Sequence, residues 1–465
     1  ALLDELTRLE RLGWLAGDGS TALTAGGEAE RRAILAWQRG RWLYARGEYC
    51  KALEAYERAE RDLPDDGEAL KKLLGEALYD LAGKFLWPQG RGGAVYSAEA
   101  ERILPRVVIW LPEKQGAWYR LGAALRLGGR NEDALAAYRR ASELDPQDAT
   151  PHNGMGNVYR ALGRYDEALA AYQRAIELDP QDATPHNNMG LVYYNLKRYE
   201  EALAAYQRAI EIDPQDAAPH NNMGLVYYNL KRYEEALAAY QRASELDPQD
   251  AAPHNGMGLV YSDLKRYDEA LAAYQRASEL DPQDAYPHHG MGSVYYNLKR
   301  YEEALAAYRR AIELDPQDAT PHNNMADIFI QQGKFDEARR ELNERIRLAP
   351  ENPFTPLVTL GILARHQGLP ESDQHFQDAL AHWDAAWRLR WQSPAGLLEN
   401  KAIALLCLGK KEQALQALQE AIAQMGPGDT IEFERYTLLQ TAPQPPEGIA
   451  EMVEQLRAAA QQEGE

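Results

Sequence analysis

An all-α chain of stacked helical hairpins is predicted by three observations. Residues 183–216 and 217–250 differ at only three positions, so a unit of 34 residues is repeated almost unchanged. Inside each unit the apolar residues recur at helical spacing in two runs separated by a short polar break, which is the pattern of a helix, a turn and a second helix. Each unit closes on Asp-Pro, as at Asp213-Pro214, and the residue before a proline is driven out of helical geometry. A chain of this kind grows by stacking and buries its core only between neighbours, so its 465 residues need not divide into separate globular domains.

The unit at 183–216 sets out the logic of each element. Helix A is expected from Thr184 to Leu196 and helix B from Tyr199 to Ile212. Asp182 stands at the N-cap of helix A, and Pro185 falls in the first turn, where no intrahelical N–H bond is lost. Lys197 and Arg198 close helix A at its negative end, and Glu200 and Glu201 open helix B beside its positive end. Gly190, Ala202 and Ala209 are small where neighbouring helices must approach closely, so a bulky substitution there should overpack the joint.

Along the chain, residues 1–32 stand outside the repeat. Leu2, Leu3, Leu6, Leu9 and Leu12 form a helical stripe, Gly17-Asp18-Gly19 marks a turn, and Leu23-Thr24-Ala25-Gly26-Gly27 leads into another helix. Two hairpins are expected over 33–114, the second interrupted near 87–93 by an insertion long enough to fold over one end of a groove. Its glycines, Gly90, Gly92 and Gly93, follow no strand and precede no Gly-Lys-Ser/Thr, which argues against a phosphate loop. Seven regular units fill 115–352, and degenerate hairpins follow over 353–428, for a total of about eleven. Residues 429–465 form a capping segment. Its last helix, near Glu447 to Gln462, carries Ile449, Met452, Val453 and Leu456 on one face to close the final apolar surface.

The formal net charge of -20 opposes a generic nucleic-acid or anionic-membrane surface. The two cysteines, Cys50 and Cys407, lie near opposite ends of the array, so a reducing, cytoplasmic setting without a disulfide is expected. No apolar run approaches the roughly 18 residues of a membrane span.

Residues 115–148 place Trp118, Leu121, Gly122, Ala134, Tyr138, Ala141 and Pro146 at the signature positions of a known repeat. The chain thereby resembles the tetratricopeptide repeat family. The resemblance implies a right-handed superhelix, an α-solenoid with the A helices on its inner face, in which positions 2, 5, 6, 9, 12 and 13 of each unit meet the ligand. Residues 1–32 resemble the second half of a winged-helix domain as found in STAND signalling ATPases of the NOD-like receptor type. That likeness implies an upstream ATPase or effector domain missing from this chain.

The inner positions are read as a ladder of amides and phenols. Position 5 carries Asn153, Asn187, Asn221, Asn255 and Asn323, with His289 in the sixth regular unit. Position 6 carries Asn188, Asn222 and Asn324, broken by Gly154, Gly256 and Gly290. Tyr194, Tyr228 and Tyr296 occupy position 12, and Asn195, Asn229 and Asn297 occupy position 13. An asparagine offers both donors and an acceptor, so it can hold a peptide amide without reading its side chain. Tyrosines add flat, rigid contact area with a polar tip. The glycines are expected to leave gaps that admit a partner's side chain. A face that is only solvated would more simply carry Lys and Glu. The Lys/Arg set that family members use on a C-terminal carboxylate is missing, so a chaperone-tail adaptor is not expected.

His152, His186, His220, His254, His288 and His322 recur once per unit at position 4, a packing slot. Helices about 8–10 Å apart cannot bring one such ladder within the roughly 2.0–2.1 Å that zinc requires. No metal, cofactor or catalytic constellation is expected, because the recurrent acids have capping, dipole or solvation roles. The expected function is a non-catalytic scaffold that binds a protein or extended peptide in its groove, as the sensor arm of a larger signalling or defence protein. The alternative is a winged-helix transcription regulator with these repeats as effector domain. Leu2 to Leu12 offers only Arg8 and Arg11 against Asp4, Glu5 and Glu10 for that role, so neither nucleic acid nor membrane is an expected partner.

Overall fold

The structure, a computed structural model, describes residues 25–63, 67–86, 93–389, 393–425 and 433–462. The leucine stripe from Leu2 to Leu12, the turn at Gly17-Asp18-Gly19 and most of the insertion after Leu86 lie outside the described residues. Every regular element among the described residues is an α-helix. Helix A of the 183–216 unit runs Thr184–Asn195 and helix B Tyr199–Ile212, and the pair recurs as Ala252–Asp263 with Tyr267–Leu280 and as Tyr286–Asn297 with Tyr301–Leu314.

The helix ends follow the local chemistry. The N-cap of the helix Thr184–Asn195 is Ala183 and not Asp182, which stands one residue earlier, because the turn before Pro185 is already helical at Ala183. From there Asp182 Oδ1 accepts the N–H of Thr184 at 2.9 Å and satisfies one of the orphan donors of the first turn. At the other end Lys197 takes φ 59°, its N–H donating to the Tyr194 carbonyl while that of Arg198 donates to Tyr193. This is a Schellman turn, and the left-handed residue it requires is usually glycine. Gly129, Gly163 and Gly333 hold the same place in their units, whereas Lys197, Lys231, Lys265 and Lys299 adopt it at the cost of steric strain. The lysines therefore do more than answer the helix dipole.

The chain divides into two compact units, Ala1–Val226 and Tyr227–Glu465. In each, successive A helices pack on one another, as Gln115–Leu127 does on Thr150–Ala161 and Ala252–Asp263 does on Tyr286–Asn297. No pair of B helices among the described residues packs comparably, so within each unit the A helices lie on the inside of the curvature. The core repeats with the sequence. Tyr138, Tyr172, Tyr206, Tyr240, Tyr274 and Tyr308, one per unit on helix B, are all buried to within 3 % exposure. Flanking alanines such as Ala202 and Ala209 are fully buried. Burying each such ring stabilises the stack by roughly 2 kcal/mol or more. In the second unit the helix Ile449–Gln462 buries Ile449, Met452, Val453 and Leu456 in the cluster that holds Phe354, Phe376 and Tyr436.

Candidate binding face on the A helices

The A helices bring the asparagines of positions 5 and 6 together across neighbouring hairpins. Asn188 Nδ2 donates to Asn153 Oδ1 at 3.0 Å, and Asn222 Nδ2 donates to Asn187 Oδ1 at 2.9 Å. Asn324 Nδ2 bonds His289 Nε2 at 3.1 Å. Each rung joins position 6 of one unit to position 5 of the unit before, and leaves the position-6 carbonyl oxygen and part of the position-5 donor capacity for other partners. The paired residues are half-buried, while Asn195, Asn229 and Asn297 at position 13 are exposed. Tyr194, Tyr228 and Tyr296 are half-buried and rest against Tyr199, Tyr233 and Tyr301, the first residues of their B helices, at centroid distances of 5.9 to 6.0 Å. Asn323 lines a cavity of about 470 Å³ with Thr320, Arg345 and Thr355.

Where a rung lacks its donor, a polar atom is left over. Asn255 Nδ2 donates to Asp284 Oδ2 at 3.0 Å, but its buried Oδ1 has no partner among the described residues, because the unit that follows carries Gly290 in place of an asparagine. Asn221 Oδ1 is likewise buried and unpartnered.

Known proteins share this architecture. Residues 122–159 and 156–197 match the family described as TPR repeat, and residues 182–390 match the cilia and flagella-associated protein 70 C-terminal domain. The array is built of tetratricopeptide repeats. No curated protein matches the sequence. Among solved structures it is similar to YrrB, a TPR protein with an unusual peptide-binding site, at 28% identity over 39% of this chain and 94% of that one, with a TM-score of 0.32. TTC0263, a thermophilic TPR protein of Thermus thermophilus, is 26% identical over 39% of this chain and 99% of its own, with a TM-score of 0.35. A tetratricopeptide repeat protein from Parabacteroides merdae is 18% identical over 50% and 93% of the two chains, with a TM-score of 0.42.

The tetratricopeptide packing corrects one expectation. The position-6 glycines are not gaps for a partner's side chain, because the tyrosine of the preceding B helix occupies them. A Cβ on Gly154 would lie 2.7 Å from Tyr138, one on Gly256 2.4 Å from Tyr240, and one on Gly290 2.4 Å from Tyr274. The small residue lets the ring slide across the joint. Two of these rings also cover the position-8 glycine of their own repeat, Tyr138 over Gly122 and Tyr274 over Gly258, each at 2.7 Å.

The histidine slot is a packing position, half-buried at His152, His186, His220, His254 and His288 and buried at His322. His152 Nε2 bonds Ser142 Oγ at 3.0 Å, and His322 Nδ1 meets Glu341 at 2.6 Å. Burial, seconded by a nearby arginine of helix B, holds His152, His186, His254 and His288 below the usual imidazole value of 6.5. Burial alone does the same to His289. Lowered folded values mean that the unfolded chain binds more protons, so the stability these groups confer is present above pH 6.5 and lost as pH falls below it. Thermal unfolding followed by circular dichroism is expected to show a falling midpoint between pH 7.5 and 5.5, roughly a unit either side of that value. Replacing His186, His254 and His288 by Gln should flatten the profile, and an unchanged slope in the triple variant would refute the assignment.

Repeat-to-repeat departures mark residues that the ladder reading passed over. Asp263 stands where Asn195, Asn229 and Asn297 stand in other repeats, and Tyr286 where most carry Thr or Ala. Asp263 Oδ2 accepts the hydroxyls of Tyr228 at 2.9 Å and Tyr233 at 3.4 Å. Tyr286 is 46% exposed, with its ring edge-on to Tyr274 at 6.5 Å. Arginines, by contrast, are held at the A–B turns: Arg232, Arg266 and Arg300 lie 4.6 to 4.7 Å over Tyr227, Tyr261 and Tyr295 and also bond Glu235, Glu269 and Glu303.

Proposed function

We propose that the array is a non-catalytic scaffold that holds an extended segment of a partner protein along its A helices, in a cytoplasmic setting, as the sensing arm of a larger signalling or defence protein. Tetratricopeptide repeats are protein-interaction scaffolds, and no helix of the described residues is long and apolar enough to cross a membrane. The observation that carries the reading is the row of amides and phenols, half-buried at positions 5, 6 and 12 and exposed at position 13, on the inner helices. Such a surface offers paired donors and acceptors to a peptide backbone and flat rings to its side chains. The cytoplasmic setting is supported by Cys50 and Cys407, both free thiols, with burial raising that of Cys407 to about 12. The sensing role rests on the winged-helix likeness of residues 1–32.

Peptides selected by display against the full chain test the binding face. Their affinity is expected to fall about tenfold when Asn195, Asn229 and Asn297 are replaced together by Ala, because these amides are exposed on the proposed contact face. Replacing Glu211, Glu245 and Glu313 on the B helices by Gln should leave it unchanged. The opposite pattern would place the site on the outer helices.

A further inference from the structure

The first hairpin leaves its outer joint uncovered. In later repeats the valine two residues after the close-approach glycine, Val192 after Gly190 or Val260 after Gly258, is fully buried in a cluster with the B helix of the hairpin before it. The proline five residues ahead of that glycine, Pro185 or Pro253, is buried too. Gly40 is the corresponding glycine of the first hairpin, packed on Tyr56 as Gly190 is on Tyr206. Its flanking positions hold Trp42 and Leu35, which are 54% and 60% exposed. Large apolar residues left in water at a joint position mark a surface that another element covers.

Beside Leu35 opens a cavity of about 850 Å³ between the helices Ala25–Ala45 and Tyr49–Arg61. Leu35, Ala36, Leu43 and Ala55 form its apolar part, within a rim of charged side chains from both helices. Most acids of that rim are already engaged: Asp62 faces Arg32 at 3.5 Å, and Glu57 meets Arg102 at 2.7 Å. Arg39, Arg58 and Arg61 line the cavity with no carboxylate partner among the described residues. In a chain of net charge -20, three such guanidiniums around an apolar floor call for an acidic, amphipathic occupant.

The same chain carries one. Residues 1–24 lie outside the described residues and lead directly into the helix Ala25–Ala45. Over Leu2 to Leu12, helical spacing sets five leucines on one side, with Glu5 and Glu10 near its two edges and Arg8 and Arg11 turned away. At 1.5 Å per residue the stripe is about 15 Å long, close to the span from Arg32 to Leu43 along the basin. Residues 13–24 can reach about 40 Å when extended, ample for the stripe to fold back on the helix that follows.

We propose that residues 2–12 dock as an amphipathic helix in the basin of the first hairpin, their leucines on Leu35, Leu43 and Ala55 and Glu5 and Glu10 against Arg39 and Arg58. The occupant takes the place that a preceding B helix holds at every later joint. Docking there needs nothing of the A-helix binding face.

Hydrogen exchange on the full chain, read by mass spectrometry, decides it. Amides of residues 2–12 are expected to exchange at least about tenfold more slowly than in a free peptide of the same sequence. Leu6→Asp, Leu9→Asp should abolish that protection. Arg39→Glu, Arg58→Glu changes two exposed side chains and should cost about fivefold or more of it, and adding Glu5→Arg, Glu10→Arg to that variant should recover most of the loss. Arg309→Glu, Arg340→Glu alters net charge equally at exposed arginines of the second unit and should leave protection within about twofold. A contact within one chain is independent of protein concentration, so a roughly tenfold dilution should change nothing. Exchange as fast as in the free peptide, protection that survives the leucine variant, equal losses in the two arginine variants, or no recovery on charge exchange would overturn the proposal. Protection lost on dilution would also overturn it and would assign the basin to a second copy of the chain. Display-selected peptides report on Asn195, Asn229 and Asn297 instead, so the binding face stands or falls separately.

Discussion

Tyr274→Ala is expected to destabilise the second unit by about 3–5 kcal/mol, the cost of removing a large buried aromatic whose cavity cannot collapse. The ring serves two joints at once. It lies over Gly258 on its own A helix and over Gly290 on the next, at distances where neither glycine tolerates a Cβ. It is 2 % exposed. In a stacked array, stability is close to a sum of repeat and nearest-neighbour contributions, so loss of one ring weakens one hairpin and the joint to its neighbour. Urea unfolding should therefore broaden or split, and amide exchange should quicken first across Ala252–Asp263, Tyr267–Leu280 and Tyr286–Asn297. Tyr274→Phe should stay within about 0.5 kcal/mol of the parent, because the Tyr274 hydroxyl makes no hydrogen bond to another described residue. A single transition with unchanged midpoint for the alanine variant would show that the ring is not the joint.

Gly258→Leu is expected to cost about 3 kcal/mol, the upper part of the usual range for an overpacked core. The sign is what makes the measurement decisive. Leucine in a helix interior is better than glycine by about 0.8 kcal/mol on propensity alone, so an unconstrained site would gain stability. Here a Cβ would meet three carbons of Tyr274 within 2.9 Å. That ring is clamped by both glycines and cannot give way without opening the joint to the next repeat. A raised urea midpoint for this variant would refute the close approach.

Much of the fold was legible in the sequence. Helix A expected from Thr184 to Leu196 is Thr184–Asn195, and helix B is Tyr199–Ile212 as expected. Asp182 and Pro185 announce the start of the first, and Asp213-Pro214 the end of the second. Gly190 was readable as a close-approach position from its smallness, and it lies against Tyr206. The candidate face was legible only as a set of positions. That Asn188 donates to Asn153 depends on how far one hairpin is rotated against the next, and no spacing along the chain encodes this rotation. Gly290 looked like an opening for the same reason: its neighbour, Tyr274, comes from the previous repeat.

By itself the sequence determined the period, the helices and the residues available at each position, because these follow from dihedral preferences and apolar spacing within one unit of 34 residues. Only the tertiary structure decided which of those residues are joined. It set the asparagines into rungs, filled the position-6 glycines with tyrosine rings, left Asn255 Oδ1 unpartnered and placed Asp263 beneath Tyr228. The reason is that contacts between repeats are fixed by the packing of large rings against small residues some 16 positions or more away, as Tyr274 and Gly290 are. That packing selects one crossing geometry from several that the local pattern alone allows.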